Sequence, residues 1–317
     1  MKILITGSGG QVGLELIRAL AARGHTVEGS DVRARPDGVD PSVPWHELDV
    51  TDPAAVRALF EGRAPEVVYH MAAILSATGE KIPHVAYAVN QTGTYNVPEA
   101  ARDCGVRQVM FASTIAAFGP GLPDPVPNEV SMRPTTMYGI TKVADELLGE
   151  YYHRKWGLDF RGVRFPGLIN AGLPGGGTSD YALFMYVDGV RRGRYQSFCR
   201  EDTRIPLMYM PDAIGALVSL MDAPRSSLRR CMYNIQGFSP TALEIAESVR
   251  SAIPDVDLTF LVDPARQAIL DSWPRALDDR CAREEWGFAP EFDLARMTDH
   301  LVPEVRRLLA DGLIPAV

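Results

Sequence analysis

Tyr138 and Lys142 stand four residues apart, a spacing that puts both side chains on one face of a helix. A tyrosine phenol ordinarily loses its proton near pH 10. An ammonium beside it favours the phenolate, and a phenolate near neutral pH is a general base that takes the proton of an alcohol. Ser113 and Thr114 end an expected strand upstream, and a hydroxyl from either would hold the reacting oxygen. Tyr151 and Lys155 repeat the spacing, so spacing alone does not choose between the pairs. Position does. Tyr138 opens its helix just past the loop that leaves the Ser113–Thr114 strand, whereas Tyr151 lies about 20 Å further along the axis. Tyr151 and Lys155 are read as packing and solvated charge.

A second set of residues suits a cofactor that carries phosphates. Gly7, Gly10 and Gly13 directly follow the strand-like run Lys2–Thr6, and Leu14, Leu16, Ile17, Ala19 and Leu20 then recur at helical spacing. Strand, glycine turn and helix form the setting of a dinucleotide-binding turn. Gly7 allows the tight turn, Gly10 lets the backbone approach a pyrophosphate, and Gly13 lets helix and strand pack closely. First-turn amides, at Gln11 and Val12, and the helix dipole then hold the phosphates. The spacing is GxxGxxG rather than GxGxxG. Asp31 ends the next strand, and a carboxylate there takes the ribose hydroxyls and repels a 2′-phosphate, which favours NAD over NADP. Arg33 and Arg35 are nearby and are expected to be solvated. The positive charge of an oxidised nicotinamide would lower the Tyr138 phenol further.

These residues need a scaffold, and 317 residues bury a sizeable core. A net charge of −8 with no basic run beyond three residues argues against nucleic acid as a partner. No run of about 18 apolar residues is present to span a membrane. The chain starts at the edge of its first strand, so no leader segment is expected. Cys104, Cys199, Cys231 and Cys281 are scattered, which fits reduced thiols and a cytoplasmic protein. The histidines form neither HxxxH nor HExxH, and no metal site is expected.

Strand and helix patterns alternate through the first half. Strands are expected at Lys2–Thr6, Thr26–Asp31, Trp45–Val50, Glu66–Ala73, Gln108–Thr114 and Arg161–Phe165. A loop with Ser76, Thr78 and Gly79 leads to a long helix ending near Asp103, and a further helix runs from about Tyr138 to Trp156. Repeated βα units predict an α/β fold, a doubly wound parallel (Rossmann) sheet. The second half is less regular, with a glycine-rich loop at Leu173–Asp180, a capping box at Thr241/Glu244 and a helix start at Asp263–Pro264. It reads as a smaller α+β substrate-binding cap. Residues 1–169 form the expected cofactor domain with a return segment at roughly 206–237, and 170–205 with 238–317 form the cap.

The chain resembles the extended short-chain dehydrogenases/reductases over nearly its whole length. The resemblance rests on Thr6-Gly7-x-x-Gly10-x-x-Gly13, Asp31, Asp49-Val50, His70-Met71-Ala72-Ala73, Asn90 to Asn96, Ser113-Thr114 and Tyr138/Lys142. It implies that Asp49 and Val50 flank the adenine, that Met71, Ala72, Ala73 and Phe165 lie along the cofactor, and that Asn90 joins a proton relay beneath the site. Within the family the chain is similar to the NAD-dependent branch that oxidises the 3-hydroxyl of L-threonine. The stretches that carry this are Ser113–Gly119, Tyr138–Lys142, Arg164–Ile169, Gly175–Tyr181, Asp202–Asp212 and Asp271–Pro274. That implies a small zwitterionic substrate, for which Ser76, Thr78, Ser113, Thr114, Tyr138, Gly175, Thr178 and Asp180 are candidate partners. Trp273 is a candidate lid. The alternative is a nucleotide-sugar epimerase or dehydratase, which would need Arg204 or Arg191 and Arg192 for a diphosphate. Pro166-Gly167, where many sugar-nucleotide relatives carry an asparagine motif, counts against it. A non-catalytic NAD sensor is a third reading. The resemblance also implies a homodimer in which the helices near 84–103 and 138–156 pair as a four-helix bundle.

Overall fold

The computed structural model describes residues 1–173 and 175–315; Pro174 of the glycine-rich loop and residues 316–317 lie outside the described residues. A seven-stranded parallel sheet forms the centre. Its strands are β1 (Lys2–Thr6), β2 (Thr26–Asp31), β3 (Trp45–Glu47), β4 (Val67–His70), β5 (Gln108–Thr114) and β6 (Asp159–Phe165), followed after three short strands by β10 (Met232–Asn234). The three are β7 (Gly167–Ile169), β8 (Arg194–Ser197) and β9 (Leu207–Tyr209), and the last strand is β11 (Asp257–Phe260). The sheet order is β10-β6-β5-β4-β1-β2-β3, while β11 pairs with β8 and β7 with β9 in parallel two-stranded sheets.

Both faces of the main sheet are covered, which explains the unbroken apolar runs in its strands. Ile3 and Ile5 of β1 pack on one side with Leu16, Ile17 and Leu20 of α1 (Gln11–Ala22). Leu4 points the other way, into a cluster with Val56 and Phe60 of α2 (Pro53–Arg63). The polar stretch after β4 is helical rather than looped: it forms α3 (Ser76–Lys81). The expected long helix is divided into α4 (Pro83–Tyr87), a π-turn at Ala88–Thr92, and α5 (Gly93–Asp103). Two strands are shorter than expected. Beyond Glu47 and beyond His70 the chain leaves the ladder and runs along the sheet's carboxyl edge.

Next come α6 (Met137–Trp156), α7 (Asp180–Arg192) and α8 (Met210–Asp222). The chain leaves the main sheet after β6 and returns with α8, which packs on α1, and β10, which pairs with β6. A separate apolar cluster lies under α7, the Ala242–Ala252 helix and the Leu294–Ala310 helix. The capping box at Thr241/Glu244 and the Asp263 cap are both formed.

Candidate active site

Parallel register brings the carboxyl ends of the central strands to one edge. Thr6 aligns with Ser30 and His70, and Thr114 aligns with Phe165. Ligands in open α/β sheets sit at this edge, beside the point where strand order reverses. A cavity of about 770 Å³ opens there, running from Asp31 past the first glycine turn to Tyr138 and on to Asp180.

At the first turn, Gly7 has φ +68°, and a Cβ there would lie 2.5 Å from the Ala72 amide nitrogen. The turn therefore presses against the Met71–Ala73 segment. Gly10 is the N-cap of α1, whose first turn adds Gln11, Val12 and Gly13 to the cavity wall. Asp31 Oδ2 accepts from the Gly9 amide at 2.9 Å, and Oδ1 from Arg33 Nε at 3.0 Å. Burial works to raise this carboxyl, but Arg33 and the Gly9 amide outweigh it and hold it below the usual range. Arg33 is thus tied to Asp31 rather than simply solvated. Asp49, Val50, Met71, Ala72, Ala73 and Phe165 also line the cavity. The walls, amides and ribose-side carboxylate suit a dinucleotide with its pyrophosphate at the α1 terminus.

Thr136 caps α6 by accepting from the Gly139 amide at 3.1 Å. A Cβ at Gly139 would lie 2.2 Å from the Ala116 carbonyl oxygen. Glycine there lets the first turn of α6 press onto the chain just after β5, and so brings Tyr138 to Thr114. Both line the cavity, as do Ser113 and Lys142. The Ser113 hydroxyl, however, donates inward to Glu146, which leaves Thr114 as the freer hydroxyl. Lys142 Nζ donates to the Ala112 carbonyl at 2.8 Å, above the Phe111 ring. It does not draw the phenol down as the spacing suggested: burial pushes Tyr138 up to about 12, the Thr114 hydroxyl opposes this, and Asp145 adds to it. Tyr151 and Lys155 hydrogen-bond each other on the surface, away from the cavity.

Asn90 and Thr178 do not line the cavity. Asn90 is buried in the π-turn and clamps the Ile74 backbone, accepting from its amide at 2.7 Å and donating to its carbonyl at 3.1 Å. It also reaches Thr141 of α6 at 3.2 Å. Thr178 is buried with its Oγ1 3.3 Å from Ser76 Oγ, so it fastens the glycine-rich loop to α3. Gln11 fastens the same loop to α1 by donating to the Leu173 carbonyl. Ser76, Thr78, Gly175 and Asp180 do face the cavity. Asp180 Oδ2 accepts from the Gly176 and Gly177 amides at 2.8 Å, while Oδ1 accepts no hydrogen bond among the described residues. Burial pushes this carboxyl up, against the pull of those amides.

Trp273, the candidate lid, lines the cavity, and its buried indole N–H has no partner among the described residues. Other contributors carry no local signal in the sequence: Leu75 and Leu168 also line the cavity. Glu146 and Arg164 form a buried ion pair at 2.7 Å behind Ser113. Among the described residues, Arg33 is the one arginine lining the cavity. Arg204 bonds Ser239 and Glu244, and Arg191 and Arg192 pair with Asp188.

Residues 3–235 match the NAD dependent epimerase/dehydratase family. An uncharacterized epimerase/dehydratase of Staphylococcus saprophyticus is 44% identical over 304 residues, covering 94% of both chains. The mitochondrial L-threonine 3-dehydrogenase of Bos taurus is 42% identical over 300 residues, 93% of this chain and 80% of that protein. Among solved structures, L-threonine dehydrogenase from Clostridium difficile superposes with a TM-score of 0.93 at 40% identity, covering 96% of this chain and 98% of that one. No helix among the described residues is long and apolar enough to cross a membrane. With this sheet, this glycine turn and these relatives, the chain belongs to the NAD-dependent epimerase/dehydratase family, that is, the extended short-chain dehydrogenases/reductases, and is an NAD-dependent oxidoreductase.

Proposed function

We propose that the protein oxidises the 3-hydroxyl of L-threonine to 2-amino-3-oxobutanoate, with Tyr138 as general base. The observation that carries this reading is the chemistry of the cavity's substrate half. It offers hydroxyls at Ser76, Thr78 and Thr114 and the unpaired Oδ1 of Asp180, and its only lysine or arginine is Lys142. An amino acid's ammonium suits the Asp180 oxygen. A second diphosphate, which a nucleotide sugar would bring, finds no cation to meet it.

NAD, when bound, supplies the acceptor for the hydride leaving the substrate's β-carbon. The chain's own residues do the rest. Gly7 to Gly13 and Asp31 seat the dinucleotide, and Thr114 orients the alcohol oxygen. Tyr138 Oη takes the hydroxyl proton as the carbonyl forms. Lys142 holds positive charge beneath the phenol. The loop from Leu173 to Asp180, fixed to α1 and α3, limits water. The test is NADH formation in a panel of L-threonine, its stereoisomers and UDP-sugars. Turnover confined to L-threonine is expected, and turnover only with a UDP-sugar overturns the reading.

Asp31 should select the cofactor. Its carboxylate repels a 2′-phosphate and also holds the nearby Arg33 charge. kcat/KM with NAD is expected to exceed that with NADP by at least about tenfold, or about 1.4 kcal/mol. Parity would remove the role given to Asp31.

We also propose a homodimer, and a cytoplasmic setting in keeping with four unpaired cysteines. Tyr87 and Tyr95 near α5 and Ile140, Leu147 and Tyr151 on α6 are large and exposed, an apolar face without a partner in the single chain. Val97 and Tyr152, on the same helices, are buried within the chain and take no part. Light scattering at micromolar concentration is expected to give twice the chain mass, and Leu147→Glu to give the monomer.

A further inference from the structure

One buried acid on α6 has no part in the reading above. Asp145 is 0% exposed, and neither carboxylate oxygen has a hydrogen-bond partner among the described residues. A buried carboxyl is costly unless it is paired or protonated. Its surroundings are the back of the Tyr138/Lys142 pair.

On α6 itself, Lys142 precedes Asp145 by three residues and Tyr138 by seven, so all three share one helix face. Glu146 adjoins it, but Glu146 is turned to Arg164 of β6 and to Ser113. From α5 comes the Thr94 hydroxyl, which lies 3.0 Å from His70 Nε2 and also holds the Asp145 carboxyl down, and no charge. From β4 comes His70, whose Nδ1 meets Thr6 Oγ1 at 2.7 Å. Burial lowers His70 to about 3, so it stays neutral and cannot balance an anion. Lys142, for its part, hydrogen-bonds only a neutral carbonyl. The acids that act on its ammonium are Asp145 and Glu146, and Arg164 already neutralises Glu146.

We propose that Asp145 is a positioning residue for the Tyr138/Lys142 pair: sealed behind Lys142 with no neighbour but the Thr94 hydroxyl to share its charge, its carboxyl group sets how tightly Tyr138 and Lys142 hold their last proton. The proposal rests on the reading of Tyr138 as the base. Burial pushes Lys142 down and Asp145 up, and each opposes the other's change. Lys142 and Asp145 therefore titrate together, and the Asp145 charge also raises Tyr138. Removing an anion from such a cluster lowers the proton affinity of every member that remains.

Asp145→Asn keeps the shape and removes the charge. The ascending limb of the kcat/KM profile for threonine is then expected to move to lower pH by about one unit, a tenfold change in proton affinity. KM for NAD should stay within about twofold, since the change is confined behind the lysine. A purely structural Asp145 would instead lower activity equally at all pH values. A second measurement needs no turnover. Carbon-13 NMR of the wild-type Asp145 carboxyl should show a midpoint well above the ordinary carboxylate range near 4, raised further in Lys142→Met. A midpoint in the ordinary range, or an unmoved limb in folded, active Asp145→Asn, overturns the proposal. Failure of the base assignment shows separately, as turnover retained by Tyr138→Phe.

Discussion

Tyr138→Phe is expected to lower kcat for threonine by about 10²–10⁴-fold, the usual contribution of a positioned base, while leaving NAD affinity unchanged. The ring stays packed at the start of α6, because Thr136 and Gly139 set that turn without the phenol oxygen. On the proposed reading only the proton acceptor is lost. The pH dependence of the wild-type enzyme follows from the same atom. Burial pushes the phenol up to about 12, so the fraction able to accept a proton grows as pH rises. Activity should therefore climb from neutral into alkaline pH, and the positive charge of bound oxidised NAD should bring the midpoint down. Fluorescence titration with NAD and initial rates across pH check both statements. Retention of a tenth of the activity by Tyr138→Phe would remove the assignment.

Arg164→Met is expected to produce the largest loss of stability. The guanidinium is buried between β6 and α6, donating to both Glu146 oxygens at 2.7–3.0 Å. It also donates to the Asn128 carbonyl at 2.7 Å and to the Asn234 side chain at 3.0 Å. Its removal leaves Glu146 as a buried anion with one hydroxyl partner, Ser113. Breaking such a pair costs about 3–5 kcal/mol, which for a chain of this size lowers Tm by roughly 5–8 °C. The double variant Arg164→Met/Glu146→Leu should recover much of that loss, because an apolar pair removes the stranded charge. Thermal melts followed by circular dichroism decide the matter. A single variant melting within about 1 °C of wild type, under about 1 kcal/mol, would show that the pair does not hold this corner.

The elements that present the cofactor turn and the base are legible in the sequence, since their signals are local. The strand-turn-helix of residues 2–22 shows in its apolar run and glycine spacing, and the α6 boundary lies within a residue of the expected start. Asp31 is legible as the last residue of a strand that ends at the sheet's carboxyl edge. Tyr138 and Lys142 are legible because one helix carries both. The chemistry between elements is not. Short and polar, with a glycine at its centre, the stretch from Ser76 to Lys81 gives no helical pattern, and its packing against α6 makes it a helix. Thr178 looks like a loop hydroxyl free for substrate, yet Ser76, about a hundred positions earlier, takes it inward.

The state of the Tyr138/Lys142 pair itself depends on such distant contacts. Spacing places an ammonium near the phenol, but the Ala112 carbonyl and the Phe111 ring, thirty residues upstream, decide where the ammonium rests. Asp145 is an acid on the helix in the sequence, and becomes a charge bearing on Lys142 only because the packing of α5 on α6 buries it without offering a cation. Backbone periodicity and turn chemistry are short-range and are written in neighbouring residues. Burial, proton affinity and which hydroxyl faces the cavity arise from groups far apart in the chain, whose desolvation and pairing exist only once the sheet has assembled.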